Sequence, residues 1–173
     1  ELYPPDFVVC PKDATTLERP DLGDDPLLGE VLAGTFCITG LIGEGGMGRV
    51  YEAEHVRLPK RFAIKVMLEE LVRHPDAISR FEREAQAVAR VTSEHVVEVV
   101  DLVRLKDGRP CLVTELLEGQ ELGEHLEEKG RTPLGTAITI TRQVCRGLAA
   151  AHAAGIVHRD LKPSNLFLMN RSD

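Results

Sequence analysis

Short stretches of alternating apolar and polar residues, bounded by turn residues, occupy the middle of the chain and predict β-strands. The predicted strands are residues 35–42, 51–55, 61–67, 95–105 and 111–116. Lys-Asp-Gly-Arg-Pro at 106–110 joins the last two as a hairpin. Because strands joined by short turns pair antiparallel, this region predicts an antiparallel sheet.

A helical period replaces the alternation at residues 76–91 and 133–154. The apolar face of the first helix comprises Ile78, Phe81, Ala85, Val88 and Ala89, and that of the second comprises Leu134, Ile138, Thr141, Val144 with Cys145, Leu148 and Ala151. Residues 121–129 predict a short polar helix, and residues 166–169 predict a last strand. Strands followed by helices predict the α+β class.

The composition has enough apolar residues for a core, and its charge is unevenly distributed along the chain. Apolar residues make up 43% of the 173 residues, and the net charge is −7. Residues 1–33 hold eight acids and two bases, so the remaining 20 acids and 19 bases leave the body near neutral. No clustered basic face predicts a nucleic-acid partner. No apolar run approaches the ~18 residues of a membrane span, so no membrane segment is expected in this chain.

Residues 1–27 are rich in Pro and Asp and predict an acidic leader or linker. Cys10-Pro11 in this leader allows a zinc-ribbon remnant as an alternative, although zinc needs about four ligands and only one is present here. The four cysteines are far apart and form no Cys-x-x-Cys pair, which favours reduced thiols and a cytoplasmic location.

A glycine-rich motif, Gly43-x-Gly45-x-x-Gly48-x-Val50, lies between the first two predicted strands. Glycines let backbone N–H groups approach a phosphate with no Cβ in the way. The same spacing occurs in dinucleotide-binding folds, but there the loop leads into a helix. Here strands stand on both sides, so the motif predicts the tip of a hairpin that covers phosphates, with a ligand-free turn as the alternative.

Lys65 stands within the apolar strand 61–67, where an unpaired charge is costly. Glu84 lies close to the apolar face of the helix at 76–91 and is the natural counter-charge. The alternative is that Lys65 extends to water and that Glu84 is solvated.

His158-Arg159-Asp160-Leu161-Lys162-Pro163-Ser164-Asn165 concentrates an acid, two bases and an amide in a loop where Pro163 blocks a continuing helix. In phosphoryl transfer a carboxylate accepts the hydroxyl proton, a lysine steadies the γ-phosphate and an amide oxygen holds Mg²⁺. The order of glycine loop, strand Lys, helix Glu and this octapeptide therefore predicts a phosphoryl-transfer site.

These motifs resemble the protein kinase superfamily, in particular the eukaryotic-like Ser/Thr kinases of bacteria. Gly43–Val50 is similar to the glycine-rich loop, Ala63-Ile64-Lys65 to the Val-Ala-Ile-Lys strand (with Phe62 in place of the Val), and 158–165 to His-Arg-Asp-Leu-Lys-Pro-x-Asn. The resemblance implies a bilobal fold: a complete antiparallel N-lobe with one main helix at 28–118, and the first part of a helical C-lobe at 119–173.

The resemblance also implies residue roles, with ATP and Mg²⁺ as cofactors and Ser/Thr proteins as substrates. Nucleotide binding falls to Ile42, Gly43, Glu44, Gly45, Gly46, Met47, Gly48, Val50, Ala63, Lys65, Thr114, Glu115, Leu117 and Phe167. Lys65 would hold the α- and β-phosphates and pair with Glu84. Asp160 would be the base and Lys162 its cationic neighbour on the γ-phosphate, a pairing typical of Ser/Thr specificity. Asn165 would be a Mg²⁺ ligand.

Two further implications concern the neighbours of Asp160. His158 would pack within the lobe rather than act in acid–base chemistry. Arg159 implies control by phosphorylation of an activation loop.

The Asp-Phe-Gly motif that follows the catalytic loop in this family does not occur in the 173 residues. We therefore expect an N-terminal portion of a kinase, truncated before that motif, and negligible ATP turnover by this chain alone, because one of two Mg²⁺ ligands is missing. A catalytically inactive module that binds a nucleotide or a partner is one alternative. A small-molecule phosphotransferase of the same fold is another.

Overall fold

A computed structural model describes residues 25–46 and 48–169 of the chain. The strands are β1 Val31–Leu32, β2 Phe36–Gly45, β3 Gly48–His55, β4 Arg61–Met67, β5 Val99–Arg104, β6 Pro110–Glu115, β7 Gly119–Glu121 and β8 Phe167–Met169. The helices are α1 Glu69–Val72, α2 Pro75–Val88, α3 Leu122–Lys129 and α4 Leu134–Ala153, with a 3₁₀ turn at Pro163–Asn165. None of these helices is long and apolar enough to cross a membrane.

The described residues form two compact units. The first takes in residues 25–82 and 100–116, and the second takes in residues 83–99 and 117–169. The expected boundary at residue 118 therefore differs in one respect: the end of α2 and the loop after it group with the second unit. Residues 1–24 of the predicted leader, with Cys10, lie outside the described part of the chain.

The first unit is a six-stranded sheet in the order β1-β2-β3-β4-β6-β5, with antiparallel pairing from β1 through β6. Its core face follows from the register, which aligns Tyr51 with Ile64 and Ile64 with Val113. All three side chains are fully buried. Residues that pair directly across antiparallel strands share a face. Ala63 and Lys65, the neighbours of Ile64 on β4, therefore lie on the opposite face of the sheet.

The strand predictions are confirmed, and the differences are at the ends. β2 continues to Gly45 rather than stopping at residue 42. Its pairing with β3 shifts in register at two points. β5 begins at Val99 rather than 95, because residues 93–96 form a turn in which Val96 N donates to Ser93 O. The short elements β1, α1 and β7 were not predicted, since two to four residues carry no readable period.

The packed part of the first unit begins earlier in the chain than the predicted boundary at residue 28. Leu27 is only 9% exposed and belongs to the core of the first unit. The amide nitrogens of Leu27 and Leu28 donate to the Oδ1 and backbone oxygen of Asp25 at 3.0 and 3.1 Å. Residues 25–27 thus belong to a turn that packs on the core of the first unit rather than to a linker.

In the second unit, α4 packs by the C-terminal part of the predicted face, and the N-terminal part of that face is exposed. Gly147 is buried, and Val144, Leu148 and Ala151 around it are half-buried. Leu134 and Ile138, predicted on the packing face, are 77% and 58% exposed. At the packed end, the missing side chain of Gly147 lets the helix approach the backbone of His95, whose oxygen would lie 2.8 Å from a Cβ at that position.

Gly147→Ala tests this close approach. We expect the substitution to destabilise the protein by about 1–3 kcal/mol, because the new methyl group overpacks the contact with His95. Gly135 lies in the same helix, and a Cβ there would meet nothing within 4 Å. Gly135→Ala should therefore stabilise by about 0.5–1 kcal/mol through helix propensity. Urea unfolding followed by circular dichroism measures both, and equal effects would refute the contact.

Candidate functional site

The glycine-rich motif is the end of the β2–β3 hairpin. Gly43 pairs with Val50, Glu44 with Arg49 and Gly45 with Gly48, so that only residues 46 and 47 form the tip. The prediction that the motif lies at a hairpin tip is confirmed. Met47, a predicted nucleotide contact, is not described. Glu44 and Ile42 are exposed on β2.

The glycines of this hairpin differ in what surrounds them. A Cβ at Gly45 or Gly46 would meet nothing within 4 Å. A Cβ at Gly48 would lie 2.2 Å from the backbone oxygen of Val66, which no real side chain tolerates. Gly48 is therefore required by packing of β3 on β4. The packing of this hairpin does not account for Gly45 and Gly46, and the absent side chains leave their backbone N–H groups open to an anionic ligand.

The sheet register places the other predicted nucleotide residues of the first unit on one face. Lys65 pairs with Val50 on one side and with Leu112 on the other, and Ala63 pairs with Thr114. Pairing partners share a face, and residues two apart on a strand do too. Val50, Ala63, Lys65 and Thr114 therefore line the face opposite the core. Lys65 and Ala63 are half-buried there, between the fully buried Ile64 and the largely buried Phe62 and Val66.

Thr114 lies on this face near the C-terminal end of β6. Its hydroxyl lies 3.4 Å from the backbone oxygen of Ala63 and 3.2 Å from that of Glu115, so it donates within the sheet. The side chain is thereby held in one orientation. Glu115 is the last residue of β6, and Leu117 follows it by two residues.

In the second unit, the octapeptide brings Asp160, Lys162 and Asn165 together. The Nζ of Lys162 lies 3.0 Å from Oδ2 of Asp160. The Nδ2 of Asn165 donates to that same oxygen at 3.1 Å and to the backbone oxygen of Asp160 at 2.7 Å. The predicted base, its predicted cationic neighbour and the predicted Mg²⁺ ligand therefore meet at one carboxylate oxygen. The second carboxylate oxygen, Oδ1, has none of these contacts.

These neighbours stabilise the ionised form of Asp160. The hydrogen bond from Lys162, then that from Asn165, lowers the pKa of Asp160 below its ordinary value of 3.8. The carboxylate is consequently charged at neutral pH and can accept a hydrogen bond from a substrate hydroxyl.

The backbone before Asp160 is in an unusual conformation. Arg159 has a φ of +62°, a left-handed geometry that is uncommon for a residue with a side chain. The amide of Asp160 donates to the backbone oxygen of His158 at 2.9 Å, which closes a three-residue γ-turn around Arg159. Non-glycine residues in this region cluster at functional loops, where surrounding contacts hold the strain.

The implied packing role of His158 is wrong for the described residues. Its side chain is exposed, and its Nδ1 accepts from the Asp160 amide at 3.3 Å. The ring is turned toward the backbone of the loop and gives that amide a second acceptor besides the His158 oxygen. His158 therefore helps to fix the γ-turn that presents Asp160.

Gly119 is a site residue that the sequence showed only as a break in the pattern. β7 pairs with β8 and aligns Gly119 with Met169. With a φ of +151°, Gly119 lies so close to β8 that a Cβ would be 1.9 Å from the backbone oxygen of Leu168. The amide of Leu122 also donates to Leu166 O at 2.7 Å. This ribbon fixes the chain immediately after Asn165, and only the glycine could have indicated it.

Two predicted relations join residues of different units and stay predictions. Lys65 belongs to the first unit, whereas Glu84 belongs to the second, where its side chain is exposed. Phe167, a predicted nucleotide contact, lies on β8 of the second unit and is 37% exposed.

One residue fits the expected metal. Because Nδ2 of Asn165 donates to Asp160, its Oδ1 is directed elsewhere, and an amide oxygen is a ligand that Mg²⁺ accepts. Within residues 25–46 and 48–169, no group of three or more His, Cys, Asp or Glu side chains could hold a metal ion. Asn165 would therefore act with water and phosphate oxygens, as Mg²⁺ sites usually do.

The sequence of this chain is similar to the sequences of known proteins. The family model for the protein kinase domain matches residues 36–173. Serine/threonine-protein kinase Pkn1 of Myxococcus xanthus is 43% identical over 150 residues, 86% of this chain and 21% of that protein. Serine/threonine-protein kinase PknL of Mycobacterium tuberculosis is 41% identical over 150 residues, 86% of this chain and 37% of that protein.

A solved structure shows a similar fold. The crystal structure of the Mycobacterium tuberculosis PknI kinase domain superposes with a TM-score of 0.71 at 29% identity. The match covers 82% of this chain and 58% of that one. The chain thus spans well under half the length of the two curated relatives and somewhat over half of the solved domain.

Proposed function

This chain belongs to the protein kinase domain family, and from that premise we propose that it carries the nucleotide-binding sheet and catalytic loop of a Ser/Thr protein kinase. The reaction is transfer of the γ-phosphate of ATP to the hydroxyl of a serine or threonine in a protein. The curated relatives above are named Ser/Thr kinases, which supports this specificity.

The observation that carries the proposal is the geometry around Asp160. Its carboxylate is exposed, ionised and held at one oxygen by Lys162 and Asn165. Such a carboxylate orients a substrate hydroxyl and accepts its proton. Lys162 carries a positive charge beside the point of transfer, where it can neutralise charge that develops on the phosphoryl oxygens.

The face of the sheet in the first unit supplies the nucleotide contacts. The open backbone at Gly45 and Gly46 suits phosphate oxygens, and Lys65 on the same sheet supplies a cation to them. Val50 and Ala63 offer small apolar contacts for a base. Mg²⁺ bound through Asn165 would neutralise phosphate charge. Together these residues favour ATP over an uncharged ligand.

We also propose that this part of the protein works in the cytoplasm. The cysteines of the described residues, Cys37, Cys111 and Cys145, are free thiols. Burial raises the pKa of the Cys111 thiol to about 11, so that thiol stays protonated and unreactive. Free thiols are usual in a reducing compartment, which is also where ATP is abundant.

The test uses the full product of the gene that encodes this chain, incubated with γ-labelled ATP, Mg²⁺ and a generic protein substrate. We expect label on phosphoserine and phosphothreonine, and none when Mg²⁺ is chelated. Nucleotide binding without any transfer would instead support the inactive-module alternative. Transfer to a small molecule but not to protein would support the phosphotransferase alternative.

A further inference from the structure

A chain of polar contacts connects the N-terminal turn of the sheet to the glycine-rich hairpin. Oδ2 of Asp25 accepts from the hydroxyl of Tyr51 at 2.9 Å and lies 3.5 Å from Nη1 of Arg49. The Nε of Arg49 in turn donates to Oε1 of Glu44 at 3.3 Å. Arg49 and Glu44 pair across the hairpin one step from its last ladder pair, Gly45 with Gly48.

Asp25 is well placed to act as the fixed end of this chain. Its side chain is only 15% exposed, while those of Arg49 and Glu44 are 42% and 56% exposed. Its Oδ1 is also used, as acceptor for the Leu27 amide. Because Leu27 is buried in the core, the turn that holds Asp25 is also anchored by packing apart from the contacts to Arg49 and Glu44.

Tyr51 connects Asp25 to strand β3 of the sheet. The residue is fully buried, so its position is set by the core. Burial, with the hydrogen bond to Asp25, raises the pKa of the Tyr51 hydroxyl above 10.0, so that it remains a donor at neutral pH. A buried hydroxyl without a partner is costly, and Asp25 is the acceptor that it finds.

From these contacts we propose that Asp25 is a positioning residue for the glycine-rich hairpin. It acts through Tyr51 and Arg49 and restrains the β3 side of the tip. The hairpin backbone is thereby held ready for phosphate before a nucleotide arrives, which lowers the ordering cost of binding. The part that concerns nucleotide rests on the proposed kinase function. The part that concerns hairpin order does not.

Two variants of the full gene product test the proposal. Tyr51→Phe removes only the hydroxyl and keeps the buried ring. Asp25→Asn keeps an acceptor for Leu27 but removes the charge that Arg49 faces. Both should speed amide hydrogen exchange in the peptide covering residues 43–50. Both should also raise KM for ATP roughly 3- to 10-fold, with kcat changed less than twofold, the range of one lost hydrogen bond.

Glu30→Gln is the matched control. Glu30 lies in the same N-terminal segment and pairs with Lys106 at 3.1 Å, but that lysine is 85% exposed and has no link to the hairpin. We expect no change in exchange at 43–50 and no change in KM. The double variant Asp25→Asn with Tyr51→Phe should lose no more than the larger single effect, because both act on one path.

The outcomes separate the two proposals. Unchanged exchange at 43–50 in both single variants, with melting temperatures near that of the parent, would overturn the positioning role whatever the enzyme does. A parent protein that transfers no phosphate would overturn the kinase proposal alone, and the exchange measurement would still decide the role of Asp25. Equal effects from Glu30→Gln would show general loosening of the segment and would also overturn it.

Discussion

Asp160→Asn should lower kcat of the full gene product for protein phosphorylation by about 10²- to 10⁴-fold, the usual contribution of a positioned general base. Asparagine has the same shape, and its carbonyl oxygen can still accept from Asn165, so the loop should keep its geometry. What is lost is the negative charge that draws the substrate hydroxyl and takes its proton. Steady-state phosphorylation at saturating ATP measures this, while KM for ATP should change little.

Asp101→Asn provides a matched control. Asp101 is an exposed aspartate on β5, and its Oδ1 accepts only from the neighbouring Leu102 amide at 2.7 Å. It should leave kcat unchanged. Full activity of Asp160→Asn, with the control unaffected, would show that Asp160 is not the general base.

The pH dependence gives a second readout on the same carboxylate. The hydrogen bond from Lys162 is the largest cause of the lowered pKa of Asp160. Lys162→Met should therefore raise that pKa toward its ordinary value. Since only the ionised carboxylate is active, the acid limb of the kcat/KM profile should move to higher pH. An acid limb that stays in place would show that Lys162 does not act on Asp160.

The hairpin and loop that carry the candidate residues could be predicted from the sequence, because these motifs have their own period or turn chemistry. The hairpin at Gly43–Val50 shows this, since strands on both sides excluded a helix-borne loop. The meeting of Lys162 and Asn165 on one oxygen of Asp160 needed only a short loop that Pro163 constrains. Local sequence sufficed wherever the geometry was local.

What the sequence did not show depends on contacts between distant segments. Asp25 looked like part of an acidic leader, because its partner Tyr51 is 26 residues away. Gly147 looked like an ordinary helix position until the backbone of His95 was placed beside it. The predicted packing face of α4 included Val144, Leu148 and Ala151 but left out Gly147, because a glycine has no side chain to count as apolar.

Lys65→Met should lower kcat/KM for ATP by about 10²- to 10³-fold, the effect of removing one preorganised charge that faces developing negative charge. Methionine keeps the length and the apolar stem of the half-buried Lys65 side chain, so the strand should remain intact. The loss should appear in both KM and kcat, because a cation on the nucleotide phosphates acts in the ground state and in the transition state. Lys60→Met, at an exposed position in the β3–β4 turn, is the control and should be silent.

The pairing of Lys65 with Glu84 can be decided by the same measurement. If Glu84 acts only by orienting Lys65, Glu84→Gln should reduce kcat/KM in the parent but have no further effect in Lys65→Met. Residues that act as a unit give such non-additive losses, whereas independent charges give losses that multiply. Multiplying losses would assign Glu84 to the exposed surface where its side chain lies and would leave Lys65 to face the phosphates without it.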